Sequence, residues 1–353
     1  MNYGKVFASC IVGVVAFSQA VFANEKRYQC EYREGLPFGV SAWSQTAWVK
    51  NGVGKESRFY PYPKETAVDL SNDALLERAA GEVAAGSTPR ETAFWQAYDD
   101  KGWYIYIESK EPELKRLLNQ LEDPRSPARL ESLEVFFAPG VTDVPYYQMY
   151  IRTAMNESQF FDWGSPSPEY RSLKEGAKVE SLPLEEKIGT FIFIPWYLVY
   201  DHLPLTGGAW RFTIVRWMPF AKAGGVTWGG RVHETGAFGM IDFQPPTKEQ
   251  QLAIQRRLLQ KAWYKFRATA NLVRDYVTWD DDKVGDPEFY KTVLEPEIAR
   301  LESVGKEWGE DLDQLTEEQV AKALPHLKEM MEFSYRVSEL RTRYLQNKIF
   351  AAE

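Results

Sequence analysis

The chain changes its hydrophobic period at Pro245-Pro246, and this change limits the folds that it can adopt. Before the two prolines, short aromatic and β-branched runs alternate with Gly, Pro and Asp turns, as in FWQAY and WYIYI around DDKG. That pattern is typical of β-hairpins. After the prolines, glycine and proline become scarce and apolar residues recur at helical spacing. The sequence therefore predicts a β domain, 24–246, followed by an all-α extension, 247–353.

The strands of the predicted β domain are short and bounded by turn residues. Trp103, Ile105 and Ile107 alternate with Tyr104 and Tyr106, so the two sets point to opposite faces of one strand. Further strand candidates are LEVFF, YYQMYIR, GTFIFI, WRFTIVRW and GMIDF. Several such strands without long helices between them predict a two-sheet antiparallel β-sandwich. The stretch 64–90 does not fit this pattern and is predicted to be an inserted helix or a mobile loop.

Capping signals predict about three helices in the C-terminal extension. Two residue pairs have the spacing of a capping box: Thr247 with Gln250, and Thr316 with Gln319. Asp286 is placed as an N-cap before Pro287 at the first helical position. Pro325 predicts a kink or a delayed start in the third helix. These helices can cover the β domain, pair with one another, or form the interface of a homo-oligomer.

The first 23 residues have the pattern of a secretory signal peptide. Lys5 precedes an apolar stretch, Val6 to Phe17, which is too short to span a membrane. We expect cleavage after Ala23 and a periplasmic or secreted protein, with no later segment long and apolar enough to span a membrane. Cys30 would then be the one cysteine of the mature chain, so we expect a buried free thiol without an internal disulfide.

Charge and residue spacing exclude several function classes. The formal net charge is −8, and no basic stripe is present that could bind phosphates, so nucleic acid is not an expected partner. The three histidines lie in no cluster with the spacing of metal ligands. Glu131 and Glu134 are three residues apart in a predicted strand, which puts them on opposite faces and prevents paired acid–base catalysis. The sequence therefore predicts a protein that is not an enzyme.

The order of motifs in the β domain resembles a known family. LESLEVFF, YYQMYIRTA, IGTFIFIPWYLV, GGAWRFTIVRW, VTW and GAFGMIDF follow one another along the chain. This order is similar to that of the family 9 carbohydrate-binding module, within the broader set of DOMON-like sandwiches, over roughly residues 90–243. The resemblance implies a two-sheet β-sandwich that binds sugars, in some members with structural calcium.

The resemblance also implies site residues. By position, Glu134 matches the glutamate of the family motif, Gln148 matches the glutamine of the next strand, and Trp228 matches the tryptophan before the closing loop. Sugar-binding members also place a tryptophan a few residues before the glutamate, but the corresponding segment here, SPARLES, has Ala128 and no aromatic residue. Either another aromatic residue takes that role, or a sugar is bound in another way.

Three further site residues come from the sequence itself. Trp163 lies in FFDWGSPSP, a predicted loop, where an aromatic side chain is well placed to contact a ligand. Arg152 ends a predicted strand and can pair with a ligand or with a surface carboxylate. His233 lies in WGGRVHETGAFGMIDF, 228–243, which is predicted to be a ligand-contacting loop followed by the last strand. The other strand tryptophans are expected in the core: Trp103, Trp196, Trp210 and Trp217.

The sequence therefore predicts an exported, non-catalytic carbohydrate-binding protein that recognises a sugar or glycan. Two alternatives stay open. One is a structural or assembly protein that oligomerises through its helices, and the other is a haem-binding, DOMON-like electron-transfer domain. Calcium also stays open as a cofactor. The acidic stretch TWDDDK, 278–283, lacks the glycine and terminal glutamate of an EF-hand loop, and is predicted to be a solvated turn.

Overall fold

A computed structural model of the protein describes residues 26–62, 90–140, 145–163, 176–221, 224–278, 286–308 and 311–351. The predicted signal peptide, nearly all of the predicted insertion 64–90, and the aspartates of TWDDDK lie outside the described residues. The described β half contains twelve strands: β1 Arg27–Tyr32, β2 Tyr60–Pro61, β3 Thr92–Tyr98, β4 Gly102–Lys110, β5 Ser132–Ala138, β6 Tyr146–Arg152, β7 Glu157–Trp163, β8 Lys178–Pro183, β9 Lys187–Pro195, β10 Ala209–Trp217, β11 Gly225–Thr227 and β12 Gly239–Phe243.

The described strands form one hydrogen-bonded sheet that is nearly closed, like a barrel. Its strand order is β7-β6-β5-β10-β12-β1-β3-β4-β9-β8, with β11 beside β10 and β2 beside β11. The two ends of this path approach each other, because the turn after β6 contacts β8. There the Ser181 backbone N–H donates to the Asn156 side-chain oxygen at 2.7 Å. The sheet thus wraps around a single apolar interior.

Strand β1 joins the two parts of the sheet, and both of its pairings are parallel. Its residues Arg27–Cys30 pair with β12, whereas Glu31 and Tyr32 pair with β3. All other pairs of named strands in the described sheet are antiparallel. The prediction of a mainly β half is confirmed, but the prediction of two wholly antiparallel sheets is not. RYQCEY was missing from the strand candidates, and it is the strand that makes the sheet continuous.

Strand β4 is buried on both faces, in the alternation that the sequence predicts. Trp103, Ile105 and Ile107 face the barrel interior. Tyr104 and Tyr106 face outward, where they pack in a second apolar cluster with Trp43. That cluster forms because the segment with helices α1, Val40–Ser44, and α2, Ala47–Lys50, covers the outer face of β3, β4 and β9. A short helix, α3 Leu114–Asn119, follows β4.

The C-terminal part is helical, as predicted, and forms three segments in the described chain. They are made of α4 Lys248–Thr278, then α5 Pro287–Phe289 and α6 Glu295–Glu307 joined by a π-turn, then α7 Glu317–Ala323, α8 Leu327–Met331 and α9 Phe333–Phe350. Both capping boxes are confirmed. Each Thr side-chain oxygen accepts the backbone N–H of the Gln three residues later, and each Gln side-chain oxygen accepts the backbone N–H of its Thr. Pro325 lies in a 3₁₀ turn that separates α7 from α8, which confirms the predicted break.

The helices pack on their own β half and share its apolar core. Leu258, Leu259 and Phe266 of α4 are buried in the same cluster as Trp196 and Tyr200, which follow β9. No helix among the described residues is long and apolar enough to cross a membrane. Cys30 is a buried free thiol, as predicted, and burial raises its pKa well above the usual value.

Asp286 caps α5, and we expect its replacement by alanine to lower the free energy of unfolding by about 1 kcal/mol at neutral pH. Its carboxylate accepts the backbone N–H groups of Glu288 at 3.1 Å and Phe289 at 3.0 Å, and these bonds hold its pKa below the usual value. A depressed folded pKa gives stability that is present above the unfolded pKa and lost as the pH falls through the folded one.

Urea unfolding of the parent protein and of Asp286→Ala should therefore differ most near neutral pH and converge in acid. Asp286→Asn is the matched control, because an asparagine oxygen still caps a helix but carries no titrating charge. We expect that variant to stay close to the parent at neutral pH. A constant difference between Asp286→Ala and the parent at all pH values would contradict the capping argument.

Candidate functional site

The outer face of the sheet is covered on one side and open on the other. Helices α1 and α2 bury the outward side chains of β3, β4 and β9. In contrast, β6, β7 and the end of β10 carry partly exposed aromatic side chains on their outward face, among them Phe161 and Trp163, which are 39% and 37% exposed. Of β5, Glu134 is partly exposed on this face, whereas Phe136 is buried against Phe238 and His233. Exposed aromatic clusters on an otherwise packed domain mark sites of interaction. This open face is therefore the candidate site.

Strand register brings the predicted polar residues together on that face. Glu134 of β5 lies between Val215 of β10 and Tyr150 of β6, and Phe136 lies opposite Gln148. Because side chains alternate along a strand, Glu134 and Gln148 point outward while their neighbours in sequence enter the barrel core. The structure thus places Glu134 and Gln148 side by side, although they are 14 residues apart in sequence.

A chain of hydrogen bonds links two tryptophans through these two residues. The Trp217 Nε1–H donates to Glu134 Oε1 at 2.6 Å, and the Gln148 Nε2–H donates to Glu134 Oε2 at 2.6 Å. Gln148 Oε1 in turn accepts from the Trp163 Nε1–H at 3.0 Å. Every donor in this chain meets an acceptor, so the orientation of the Gln148 amide is defined by both of its partners. The network fixes both indoles relative to the carboxylate.

Further rings support the two indoles. The Tyr62 ring lies 4.8 Å from that of Trp217, centroid to centroid. The Tyr146 ring lies parallel to Trp163 at 6.2 Å with an interplanar angle of 9°, and the Phe161 ring also lies 6.2 Å from that of Trp163. Aromatic pairs at these separations attract each other. Two aromatic groups, one around each tryptophan, therefore flank the Glu134–Gln148 pair.

His233 joins this face from the loop before β12. Its ring centroid lies 4.6 Å from Trp163, and its Nδ1 is 3.2 Å from the Tyr146 hydroxyl. Its backbone φ is 59°, a conformation that is strained for a residue with a side chain. Partial burial also raises the pKa of Tyr146. The structure thus brings His233 to Trp163, and the predicted loop and last strand of 228–243 occur in that order.

Two of the predicted site residues, Trp228 and Arg152, lie outside this hydrogen-bonded group. Trp228 is fully buried, and its ring meets Phe94 edge to face at 5.3 Å, so the structure places it in the core and not on the open face. The prediction that Trp228 contacts a ligand is therefore not supported. Arg152 does point outward, but it pairs with Glu157 of the neighbouring strand at 3.2 Å. It lies at the margin of the site with its charge already neutralised.

Trp163 and Trp217 also correct the sequence analysis. Trp163 is the last residue of β7 and so lies in a strand, not in a loop. Trp217 was expected in the core with Trp103, Trp196 and Trp210, but only the other three are fully buried. One signal in the sequence could have identified Trp217. In AWRFTIVRW it shares its alternation phase with Arg211 and Thr213, which is the polar phase of the strand.

Glu131 lies on the inner side of the sheet, as its spacing from Glu134 predicts. It is buried and pairs with Arg216, whose Nε lies 2.8 Å from Glu131 Oε1. Burial raises the pKa of Glu131 despite the neighbouring guanidinium. Arg216 also donates to the Lys110 backbone oxygen at 2.9 Å. Both side chains therefore serve the interior, and Arg216 is not exposed to a ligand.

The cleft among the C-terminal helices is lined like a solvated surface and not like a ligand site. A cleft of about 910 Å³ among the C-terminal helices is lined by charged side chains that pair locally, such as Arg336 with Glu339 at 2.7 Å. Pairs of this spacing are usual on solvated helices.

Among the described residues, no group of three or more His, Cys, Asp or Glu side chains is arranged to hold a metal ion.

No family model matches the sequence, and no curated protein matches it. Among solved structures, the chain is similar to a family 9 carbohydrate-binding module from Caldicellulosiruptor kristjanssonii in complex with glucose. The identity is 12% and the TM-score 0.40, over 63% of this chain and 98% of the module. It is also similar to a family 9 module from the same organism in complex with cellotriose, at 13% identity and a TM-score of 0.40, over 64% of this chain and 96% of that one.

Proposed function

We propose that this chain is an exported, non-catalytic protein that binds a carbohydrate on the open face of β5, β6, β7 and β10. The observation that carries the proposal is the hydrogen-bonded chain Trp217–Glu134–Gln148–Trp163. It presents two indoles and a carboxylate as one preorganised group.

Sugars need two kinds of contact, and this face offers both. Their C–H patches pack on flat aromatic surfaces, and their hydroxyls bond to planar polar groups. Each Glu134 oxygen uses one bond within the protein and keeps acceptor capacity for a hydroxyl. Because the partners hold each other in place, little side-chain entropy is left to lose when a ligand binds.

We also propose that Trp217 takes the role of the tryptophan that the resembled family places before its glutamate. The corresponding residue here, Ala128, is fully buried and cannot meet a ligand at the surface. Trp217 approaches the same carboxylate from the neighbouring strand β10. A non-catalytic role accords with the position of Glu131, the second carboxylate of the segment, whose charge points into the protein.

The remaining organisation is proposed as the sequence predicts it: a signal peptide cleaved after Ala23, a DOMON-like β domain over 24–246, and a helical extension over 247–353. Trp163, Glu134, Gln148 and Trp217 form the proposed ligand contacts, with His233 beside them. Trp228 is left out because it is buried.

A glycan-array screen of residues 24–353 tests the proposed function, repeated with calcium and with a chelator. We expect binding to one class of sugar, and we expect Gln148→Ala to weaken it about tenfold, because the link from the Trp163 indole to the Glu134 carboxylate runs through that amide. Thr342→Ala on the helical surface is the control and should bind as the parent does. A folded protein that binds no glycan would contradict the proposal.

One observation favours a second function, assembly through the helices. Leu345, Ile349 and Phe350 are 44%, 63% and 71% exposed at the end of α9. Apolar side chains that recur on one helix face can form a contact between copies. Light scattering separates the two functions, because a monomer at high concentration would exclude this assembly.

A further inference from the structure

We propose that the sugar bound on the open face carries a positive charge, as a hexosamine with a free ammonium group does. This inference rests on the proposed function and names the ligand class for the same site. Its starting point is Glu134, which is only partly exposed and holds a negative charge at the centre of an aromatic face.

The charge of Glu134 has no counter-ion in the described structure. Both of its oxygens accept from neutral donors, the Trp217 indole and the Gln148 amide. No lysine or arginine nitrogen among the described residues lies within 4.0 Å of a Glu134 oxygen, the distance within which an ion pair forms. A half-buried carboxylate without a cation loses solvation that two neutral hydrogen bonds replace only in part.

The nearby cations are neutralised by other groups. Arg152 pairs with Glu157 at 3.2 Å, and Arg231 pairs with Glu234 at 3.0 Å. Arg216 lies on the opposite face of the sheet. On the outward side of β5, β6 and β7, the Glu134 carboxylate is thus the one described charged group without an ion-pair partner. Arg211, on the outward side of β10, lies four residues along that strand from Val215, the residue opposite Glu134, and donates to the Thr235 backbone oxygen at 3.0 Å.

The surroundings of this charge also favour a cation. Aromatic rings attract cations through their negative faces, and a carboxylate among aromatic rings is a common way to recognise an ammonium group. Here the Glu134 carboxylate is bonded to Trp217, whose ring lies 4.8 Å from that of Tyr62. It is also linked through Gln148 to Trp163, on which Tyr146 stacks. A neutral sugar would use the same hydroxyl acceptors but would leave the carboxylate uncompensated.

Calorimetric titration with glucosamine and with N-acetylglucosamine tests this inference, because the two rings differ only in the charge and acetylation of one nitrogen. At about pH 6, where the amine is protonated, we expect glucosamine to bind about tenfold more tightly. At about pH 9, where most of the amine is neutral, the preference should disappear. Glu134→Gln, which keeps the shape but removes the charge, should bind both sugars alike at both pH values.

The other titratable or charged side chains on this face come from the loop and from four elements around it. They are His233 from the loop, Tyr146, Tyr150 and Arg152 from β6, Glu157 from β7, Arg211 from β10, and Tyr62, whose ring packs on Trp217. N-acetylglucosamine carries no amine that takes up a proton, so its binding at both pH values reports the effect of the protein's own groups alone. That effect is subtracted from the glucosamine result. Melting temperatures of the parent and of Glu134→Gln confirm that both proteins are folded.

The possible results distinguish binding of a charged sugar from carbohydrate binding in general. A glucosamine preference that depends on pH and on Glu134 supports the inference. Equal binding of both sugars, or of glucose as well, overturns it but leaves the proposed function standing. If the folded parent binds neither sugar and the glycan screen finds no other, both the inference and the proposed function fail.

Discussion

Replacing Trp163 or Trp217 by alanine is expected to weaken sugar binding about 30-fold each, and the double replacement should abolish measurable binding. A well-packed aromatic residue at the centre of a binding face contributes about 2 kcal/mol, and this corresponds to about 30-fold. Each variant also removes an indole N–H from the Glu134–Gln148 chain. Titration calorimetry with the sugar class selected by the glycan screen measures the loss.

Tyr264→Ala is the matched control for the tryptophan variants. Tyr264 is 68% exposed on α4, so it offers an aromatic surface far in the chain from the site strands. We expect that variant to bind sugar as the parent does. If Tyr264→Ala and Trp163→Ala lost affinity equally, or if folded tryptophan variants kept full affinity, the open face would not be the binding site.

The largest effect on stability is expected for Arg216→Met, which should lower the free energy of unfolding by about 3–5 kcal/mol. Arg216 is fully buried and bonds Glu131 at 2.8 Å and the Lys110 backbone oxygen at 2.9 Å. Without it, the buried Glu131 carboxyl has no hydrogen bond or ion pair left among the described residues. Glu111, the other acidic neighbour, keeps its pair with Arg90 at 3.0 Å.

The loss of stability in Arg216→Met should depend on pH. Burial already raises the pKa of Glu131 in the parent, and removal of Arg216 should raise it further. A carboxyl group whose folded pKa lies above the unfolded one loses stability as the pH rises between the two values. The stability deficit of Arg216→Met should therefore shrink in mild acid, where Glu131 can take up a proton.

Urea unfolding followed by tryptophan fluorescence measures both effects. The double variant Arg216→Met with Glu131→Gln is the control, because it removes both charges and should recover part of the loss. If the single variant lost less than about 1 kcal/mol, or if the double variant were as unstable as the single one, the buried pair would not have the role assigned to it.

Local features of this fold could be predicted from the sequence because their causes lie within a few residues. The capping boxes at Thr247 and Thr316 depend on a partner three positions away, and the alternation in β4 depends on neighbouring residues. The two inward and outward sets of β4 were predicted for the same reason. Such patterns need no knowledge of which strands pair.

The site was only partly predictable, because it depends on pairing between distant strands. Trp217 and Glu134 are 83 residues apart and meet because β10 pairs with β5. The alternation phase of β10 alone can put Trp217 on the polar side of its strand, but it cannot put Trp217 beside Glu134. Trp228 matched a family position, but the short strand β11 before it turns its ring into the interior. The continuous sheet was missed because parallel pairing of β1 has no local signal.

The position of β1 in the sheet has a consequence for the order in which the protein can fold. While the chain is being made, β1 can first pair with β3 through only two residues, Glu31 and Tyr32. Its longer pairing, with Met240–Phe243, must wait until nearly the whole β half has been synthesised. Contacts between such distant segments form slowly, because a long loop must close first. A chain that leaves the ribosome N-terminus first therefore stays incompletely folded for a long interval, and the export proposed above would require such an unfolded state.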